Sequence, residues 1–269
     1  MNIPKPLITK EHGSWPVLFV PMIVSTCVTQ RFTIDVLFVA LSVACVVLSY
    51  PSLQIILRHW FVQSQGDEKL RPAIFWASVF LFMACVLSLP LLAKGFWLLL
   101  PIGGIGALFS ILNVAVTSTF RKTAGSDLLA VLGLTLGSPA VYYVAMGRID
   151  MTAVSVWFLN FLFFGCGIFY VHMKMRATGL KRSDLTMFEK LSIGKLNIAY
   201  HLVVLIVVFL LTWMHYTPQL VFAAFVPMAI HAFTGTVTLT RRIRFRSLGF
   251  VLLGQSIVFS LLMILAKWS

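Results

Sequence analysis

The sequence predicts an all-α, polytopic integral membrane protein, and three observations support this prediction. Of the 269 residues, 59% are hydrophobic and only 11% are charged, which is unlike the composition of a soluble domain. Nine apolar stretches are long enough for helices that cross a bilayer. Backbone groups in lipid must pair internally, and stretches of this length are too long for the strands of a barrel. We therefore predict a single transmembrane helical domain over residues 1–269.

Each predicted span is a predominantly apolar run of the length that a transmembrane helix needs. In chain order, the nine spans are about 14–30, 33–57, 72–93, 96–117, 126–146, 151–172, 196–214, 217–238 and 247–267. Two connections on one side are long, about 58–71 and about 173–195, whereas the connections on the other side are short. In the second long connection, we predict a short amphipathic helix that lies along the membrane surface and is capped by Ser183.

Positive charges fix the predicted orientation of these spans. Alternate connections, starting with the N-terminus, hold 17 of the 21 lysines and arginines. Because positive residues stay on the cytoplasmic side, we predict a cytoplasmic N-terminus. Basic cytoplasmic loops that face anionic lipid headgroups account for the net charge of +13. The sequence contains no motif for nucleic-acid binding. Membrane lipids are therefore expected partners and nucleic acid is not.

Polar residues with possible binding roles gather at the predicted inner side. His172 and Arg176 lie one helical turn apart and could bind a phosphate or carboxylate. The structural alternative is that both side chains snorkel to the membrane edge. Lys174 lies about 200° around the helix from His172, so we expect it to snorkel to headgroups. The candidate ligand-binding residues are Lys10, Glu11, His12, Arg58, Arg121, Asp127, His172 and Arg176.

We expect these residues to share one cavity that opens to the cytoplasm. The segments around 10–16, 58–71, 121–127 and 172–182 carry more polar character than topology alone requires, and all lie at one predicted depth. Each segment also has a structural alternative, such as a helix cap or a favourable acidic first turn.

Metal and cofactor motifs are not found in the sequence. The four cysteines lie inside predicted spans without CxxC spacing, so we predict neither a disulfide framework nor a metal site. His201 and His231 fall at similar predicted depths, which permits a haem pair but does not argue for one. We predict no cofactor.

Three stretches resemble the YwiC-like family of bacterial membrane proteins. They are KEHGSWPVLFVP at residues 10–21, the segment Tyr170–Arg176, and the passage from VPMAIHAF to RRIRFRSLGFVLLGQS near the C-terminus. The resemblance implies a multi-pass protein of the bacterial cytoplasmic (inner) membrane. It implies no activity.

The predicted layout also resembles the UbiA superfamily of intramembrane prenyltransferases. Nine spans, an inner N-terminus and long inner loops after spans two and six are shared, as is the Leu70–Arg71–Pro72 stretch before span three. In that superfamily, Asp-rich motifs at these loops hold Mg²⁺ against a prenyl diphosphate. This chain has Ser52–Arg58 and His172–Arg176 at those places, and neither contains a DxxxD pair. Since Mg²⁺ needs carboxylates, we expect no Mg²⁺-dependent prenyl transfer.

The residues leave three classes of function open. The first is a protein that binds or modifies an amphipathic anionic ligand, such as an isoprenoid, a quinone precursor or a lipid; as an enzyme, it would be a UbiA-like transferase without the usual Mg-binding aspartates. The second is a non-catalytic accessory subunit of a respiratory or biosynthetic membrane complex. The third is a small transporter, against which stands the scarcity of mid-membrane charge.

Overall fold

The computed structural model describes residues 14–62, 67–119, 122–180, 185–240 and 245–268. Within these ranges the chain forms helices and no strand. The helices are α1 (Ser14–Thr29), α2 (Ile34–Val62), α3 (Asp67–Ala93), α4 (Leu99–Thr119), α5 (Ala124–Thr135), α6 (Gly137–Met146), α7 (Met151–Thr178), α8 (Met187–Trp213), α9 (Leu220–Val237) and α10 (Phe245–Leu265).

The helices confirm the all-helical membrane class. Eight segments in the described ranges are long and apolar enough to cross a membrane, and α5 and α6 together make one of them, Ala124–Met146. The apolar helix Trp15–Thr29 is shorter. By its internal contacts the chain divides into two compact units, Met1–Ile149 (unit 1) and Asp150–Ser269 (unit 2). The prediction of a single domain stays a prediction.

Helix boundaries beside the two long connections differ from the sequence prediction, because much of each connection is helical. α2 continues to Val62, and α7 continues to Thr178. α8 already begins at Met187, where the Thr186 hydroxyl and the Glu189 carboxylate form a capping box. The predicted surface helix after Ser183 is therefore wrong: Phe188 belongs to the first turn of α8, and Ser183 itself lies outside the described residues.

Unit 1 packs through close contacts between α1 and α6. The hydroxyls of Ser25 and Ser138, both fully buried, lie 2.7 Å apart and join the two helices. A Cβ atom at Gly137 would come within 2.9 Å of Met22 Cγ, so only glycine permits this approach. Where α2 begins and α3 ends, the Lys94 ammonium pairs with the Asp35 carboxylate at 2.7 Å.

Unit 2 surrounds an aromatic core. The rings of Phe163 and Phe259 stack with their centroids 4.0 Å apart, and Phe225 meets Phe259 edge-on at 5.4 Å. These rings fix α7, α9 and α10 against one another. Polar side chains of α7, α8 and α9 lie in the remaining part of the interior of this unit.

Candidate functional site

The predicted ligand-binding residues divide between the two units and the undescribed segments. Lys10, Glu11, His12 and Arg121 lie outside the described residues. Arg58 and Asp127 belong to unit 1, and His172 and Arg176 belong to unit 2. The prediction that they share one cavity stays a prediction.

A hydrogen-bonded chain joins three helices of unit 1 near two of the predicted residues. The Tyr50 hydroxyl on α2 donates to Asn113 Oδ1 on α4 at 2.9 Å. Asn113 Nδ2 donates in turn to the backbone carbonyl of Ser126 on α5. Asn113 is 6% exposed, so this chain lies in a dry interior where lost partners are costly. The start of α5 is further fixed by a capping box between Thr123 and Ser126.

Three buried polar atoms have no hydrogen-bond partner in the described parts of unit 1. They are Ser52 Oγ, Arg58 Nε and Ser118 Oγ. The predicted residue Asp127 lies at the start of α5, where it pairs with Lys122 at 3.5 Å; the two side chains are 23% and 59% exposed, respectively. Since this pair is close to solvent, it contributes little to stability. Arg58 thus brings a guanidinium into a partly buried polar region.

A second polar cluster lies in unit 2, and Lys174 is at its edge. The Lys174 ammonium donates to the backbone carbonyl of Gly235 on α9 at 3.1 Å and lies 5.3 Å from the centre of the Tyr170 ring. The prediction that Lys174 snorkels to headgroups stays a prediction, and these contacts with α9 and Tyr170 are additional to it. α7 extends to Thr178, beyond the predicted end of the span, so Lys174 lies within the helix and contacts α9. Arg176 is exposed and His172 is half-buried.

Asn197 and His201 form the interior of the same cluster. Asn197 Nδ2 donates to Thr236 Oγ1 at 3.1 Å and to the Ala232 carbonyl at 3.3 Å. His201 Nδ1 lies 2.8 Å from the Asn197 carbonyl, an acceptor only, so Nδ1 carries the proton and Nε2 has the lone pair in the neutral ring. Asn197 Oδ1 and His201 Nε2 are both buried, and neither has a hydrogen-bond partner among the described residues.

His231 joins this cluster from α9. Its ring lies 4.7 Å from that of Tyr170, and its buried Nε2 atom also lacks a partner in the ranges that the structure describes. We call Tyr170, Lys174, Asn197, His201, His231 and Thr236 the unit 2 polar cluster.

Two glycines allow the helices to close around the polar cluster. A Cβ atom at Gly194 would overlap the Thr236 Cγ2 methyl and come within 3.3 Å of Met173 Sδ. A Cβ atom at Gly235 would overlap the Tyr170 hydroxyl. α7, α8 and α9 therefore approach one another through these small residues, as membrane helices commonly do.

The charge of the unit 2 polar cluster is positive. The two carboxylates described in unit 2 both cap helices: Asp150 accepts from the N–H groups of Thr152 and Ala153, and Glu189 lies in the capping box of α8. Within the described residues Lys174 forms no ion pair. An ammonium at a membrane helix without a carboxylate is suited to an anionic group. No group of three His, Cys, Asp or Glu side chains that could hold a metal occurs among the described residues.

The sequence contained one signal for these clusters that residue-by-residue inspection missed. Three of the four asparagines, Asn113, Asn160 and Asn197, fall inside apolar helices. An amide in such a helix must find partners within the protein. Two of the three form the bonds between helices described above.

Comparison with known proteins finds one family for this fold. Residues 8–142 match the family model described as YwiC-like protein, which covers half of the chain. The match includes the KEHGSW stretch, whereas the resembling stretches at Tyr170–Arg176 and beyond lie after its end. Comparisons with curated proteins and with solved structures found no match.

Proposed function

This chain belongs to the YwiC-like family, and from that premise we propose that it binds an amphipathic anionic ligand inside the membrane. The ligand is an isoprenoid, a quinone precursor or a lipid, and its acidic head lies against Lys174 in a cavity that opens to the cytoplasm. The proposal includes nine spans in a UbiA-like layout and residence in the bacterial inner membrane. It also includes a cytoplasmic N-terminus, which the uneven distribution of lysine and arginine between the connections supports.

The position of Lys174 is the observation that carries this proposal. Its ammonium is drawn against α9 by a carbonyl and an aromatic ring, neither of which neutralises its charge. A charge held in a membrane helix costs free energy unless it gains a partner. An acidic head supplies that partner, and the exposed apolar side chains of the surrounding helices accommodate a hydrocarbon tail. Arg176 and His172, one turn away on α7, are proposed to contact the same head from the membrane surface.

The test compares substitutions of lysines on the same unit. In Lys174→Gln, affinity for dodecyl phosphate should fall about ten- to a hundred-fold, because a hydrogen bond to a charged group contributes about 1.5–3 kcal/mol. Lys195→Gln, which removes an equal charge from an exposed position on α8, should bind as the wild type does. Calorimetry in neutral detergent measures both affinities, and mass spectrometry of molecules that co-purify identifies the natural ligand.

Three further measurements make the outcome decisive. Lys174→Arg keeps the charge and should retain binding. Arg176→Gln measures whether the membrane-edge residue adds to the affinity. Chelation of divalent metals should leave binding unchanged, because side-chain cations supply the positive charge. Equal affinities of wild type, Lys174→Gln and Lys195→Gln would refute the proposal.

A further inference from the structure

Unpartnered polar atoms occur at several depths in unit 2. Of the nine buried side-chain atoms without a partner in the described residues, six belong to this unit. The other three belong to unit 1. We call the six atoms in unit 2 the polar series. They are Thr217 Oγ1, Trp157 Nε1, Asn160 Oδ1, His201 Nε2, Asn197 Oδ1 and His231 Nε2.

One end of this series opens into a cavity. A cavity of about 560 Å³ lies where α7 and α9 begin and α8 and α10 end, and Thr152, His215, Thr217, Gln219 and Lys267 are among its lining residues. Thr217 is 4% exposed, and its hydroxyl is the first unpartnered atom of the series. The cavity thus gives solvent a way to the series from this end of the unit.

The next atoms follow at steps of about one helical turn. Counted from the start of α7 at 1.5 Å per residue, Trp157 is about 9 Å deep and Asn160 is about 14 Å deep. Counted from the end of α8 at the same rise, His201 is about 18 Å deep and Asn197 is about 24 Å deep. His231 is level with Asn197, because the adjacent Ala232 carbonyl accepts from Asn197 Nδ2.

Lys174 stands at the other end of the series. Thr236 accepts from Asn197, and its neighbour Gly235 accepts from the Lys174 ammonium. By their axial depths, the unpartnered atoms therefore recur at intervals between the level of the cavity and that of the unit 2 polar cluster. Asn160, Asn197 and His201 are each at most 1% exposed, so the middle of the series is separated from lipid.

We propose that unit 2 carries a proton path from this cavity to Lys174, formed by water molecules on the six unpartnered atoms. Buried polar groups in a membrane interior normally gain a partner, and water can donate to the acceptors and accept from the donors in the series. An imidazole ring can accept a proton at one nitrogen and donate one from the other, so His201 and His231 suit a proton rather than another solute.

The proton path is tested with the full-length protein in vesicles of phosphatidylcholine and phosphatidylglycerol. A potassium gradient with valinomycin drives protons inward, and a trapped pH-sensitive dye reports their entry. The wild type should acidify the vesicles faster than protein-free vesicles do. His201→Phe, which keeps an aromatic ring but removes both nitrogens, should slow this excess rate about ten-fold or more by raising the barrier at one step.

Two further variants protect the test against misfolding. Asn160→Leu removes an unpartnered oxygen. Among the described residues the Asn160 amide nitrogen donates to the Val156 carbonyl of its own helix, so this variant should fold and also slow the rate. His59→Phe makes the same exchange as His201→Phe in unit 1 and should conduct normally. Wild-type vesicles that acidify no faster than protein-free vesicles would overturn the path. Full conduction in Asn160→Leu, or in folded His201→Phe, would overturn it as well.

Discussion

The contact between Gly194 and Thr236 gives the sharpest test of the unit 2 polar cluster. Alanine at position 194 would place its methyl group on the Thr236 Cγ2 methyl, with Met173 Sδ at 3.3 Å on another side. Since overpacking a close helix contact costs about 1–3 kcal/mol, Gly194→Ala should lower the free energy of unfolding by that amount. The hydrogen bond from Asn197 to Thr236 should weaken as α8 and α9 separate.

A second substitution should offset part of the stability lost in Gly194→Ala. Thr236→Ser removes only the Cγ2 methyl and keeps the hydroxyl that Asn197 contacts. Alone it should cost about 0.8 kcal/mol, the transfer free energy of one buried methylene-sized group. In the double variant the two changes should couple by about 1–2 kcal/mol in the stabilising direction, as expected for residues in direct contact.

Unfolding of the purified protein in mixed detergent and dodecyl sulfate measures these free energies. Gly167→Ala is the matched control, because a Cβ atom at Gly167 meets nothing within 4 Å in the described structure. That variant should be neutral or more stable by up to about 1 kcal/mol, the helix propensity difference between the two residues. An unchanged stability of Gly194→Ala, or a double variant no more stable than the sum of its single changes, would refute the close packing of α8 and α9.

Three further predictions concern unit 1 and the topology. Asn113→Leu should cost about 1–3 kcal/mol in the same unfolding assay, because it removes the acceptor of the Tyr50 hydroxyl and the side-chain donor to the Ser126 carbonyl; Tyr50→Phe should cost less, about 0.5–1.5 kcal/mol. Lys94→Ala should cost less than about 1 kcal/mol, and added salt should shrink the difference, because the lysine that pairs with Asp35 is 52% exposed. Reporter fusions should place the connection between α7 and α8 in the cytoplasm and that between α6 and α7 outside; the opposite result would reverse the predicted orientation.

The positions of the helices could be predicted from the sequence, because membrane thickness fixes the length of an apolar span. The predicted spans at about 14–30 and 151–172 correspond to Ser14–Thr29 and the larger part of Met151–Thr178. The ends of the helices could not be predicted from hydropathy, since polar residues continue a helix beyond the bilayer. The start of α8 depends instead on the Thr186–Glu189 capping box.

The candidate site was less accessible to sequence reasoning, because side-chain direction depends on the packing of neighbouring helices. The helical angle between Lys174 and His172 predicted different surroundings for the two residues, but it could not identify the Gly235 carbonyl as a partner of Lys174. Asn113 and Asn197 were visible as amides in apolar helices. Their partners Tyr50 and Thr236 lie 63 and 39 residues away in the chain, a separation that no local pattern bridges.

An acidic ligand head at Lys174 is the central claim, and a density map of the protein in native lipid nanodiscs tests it most directly. The account predicts ligand density beside α7 and α9, with an anionic oxygen about 2.7–2.9 Å from the Lys174 ammonium, the distance typical of charge-assisted hydrogen bonds. A map that resolves the Lys174 side chain with no such density, or that pairs its ammonium with a carboxylate of the chain itself, would contradict the account.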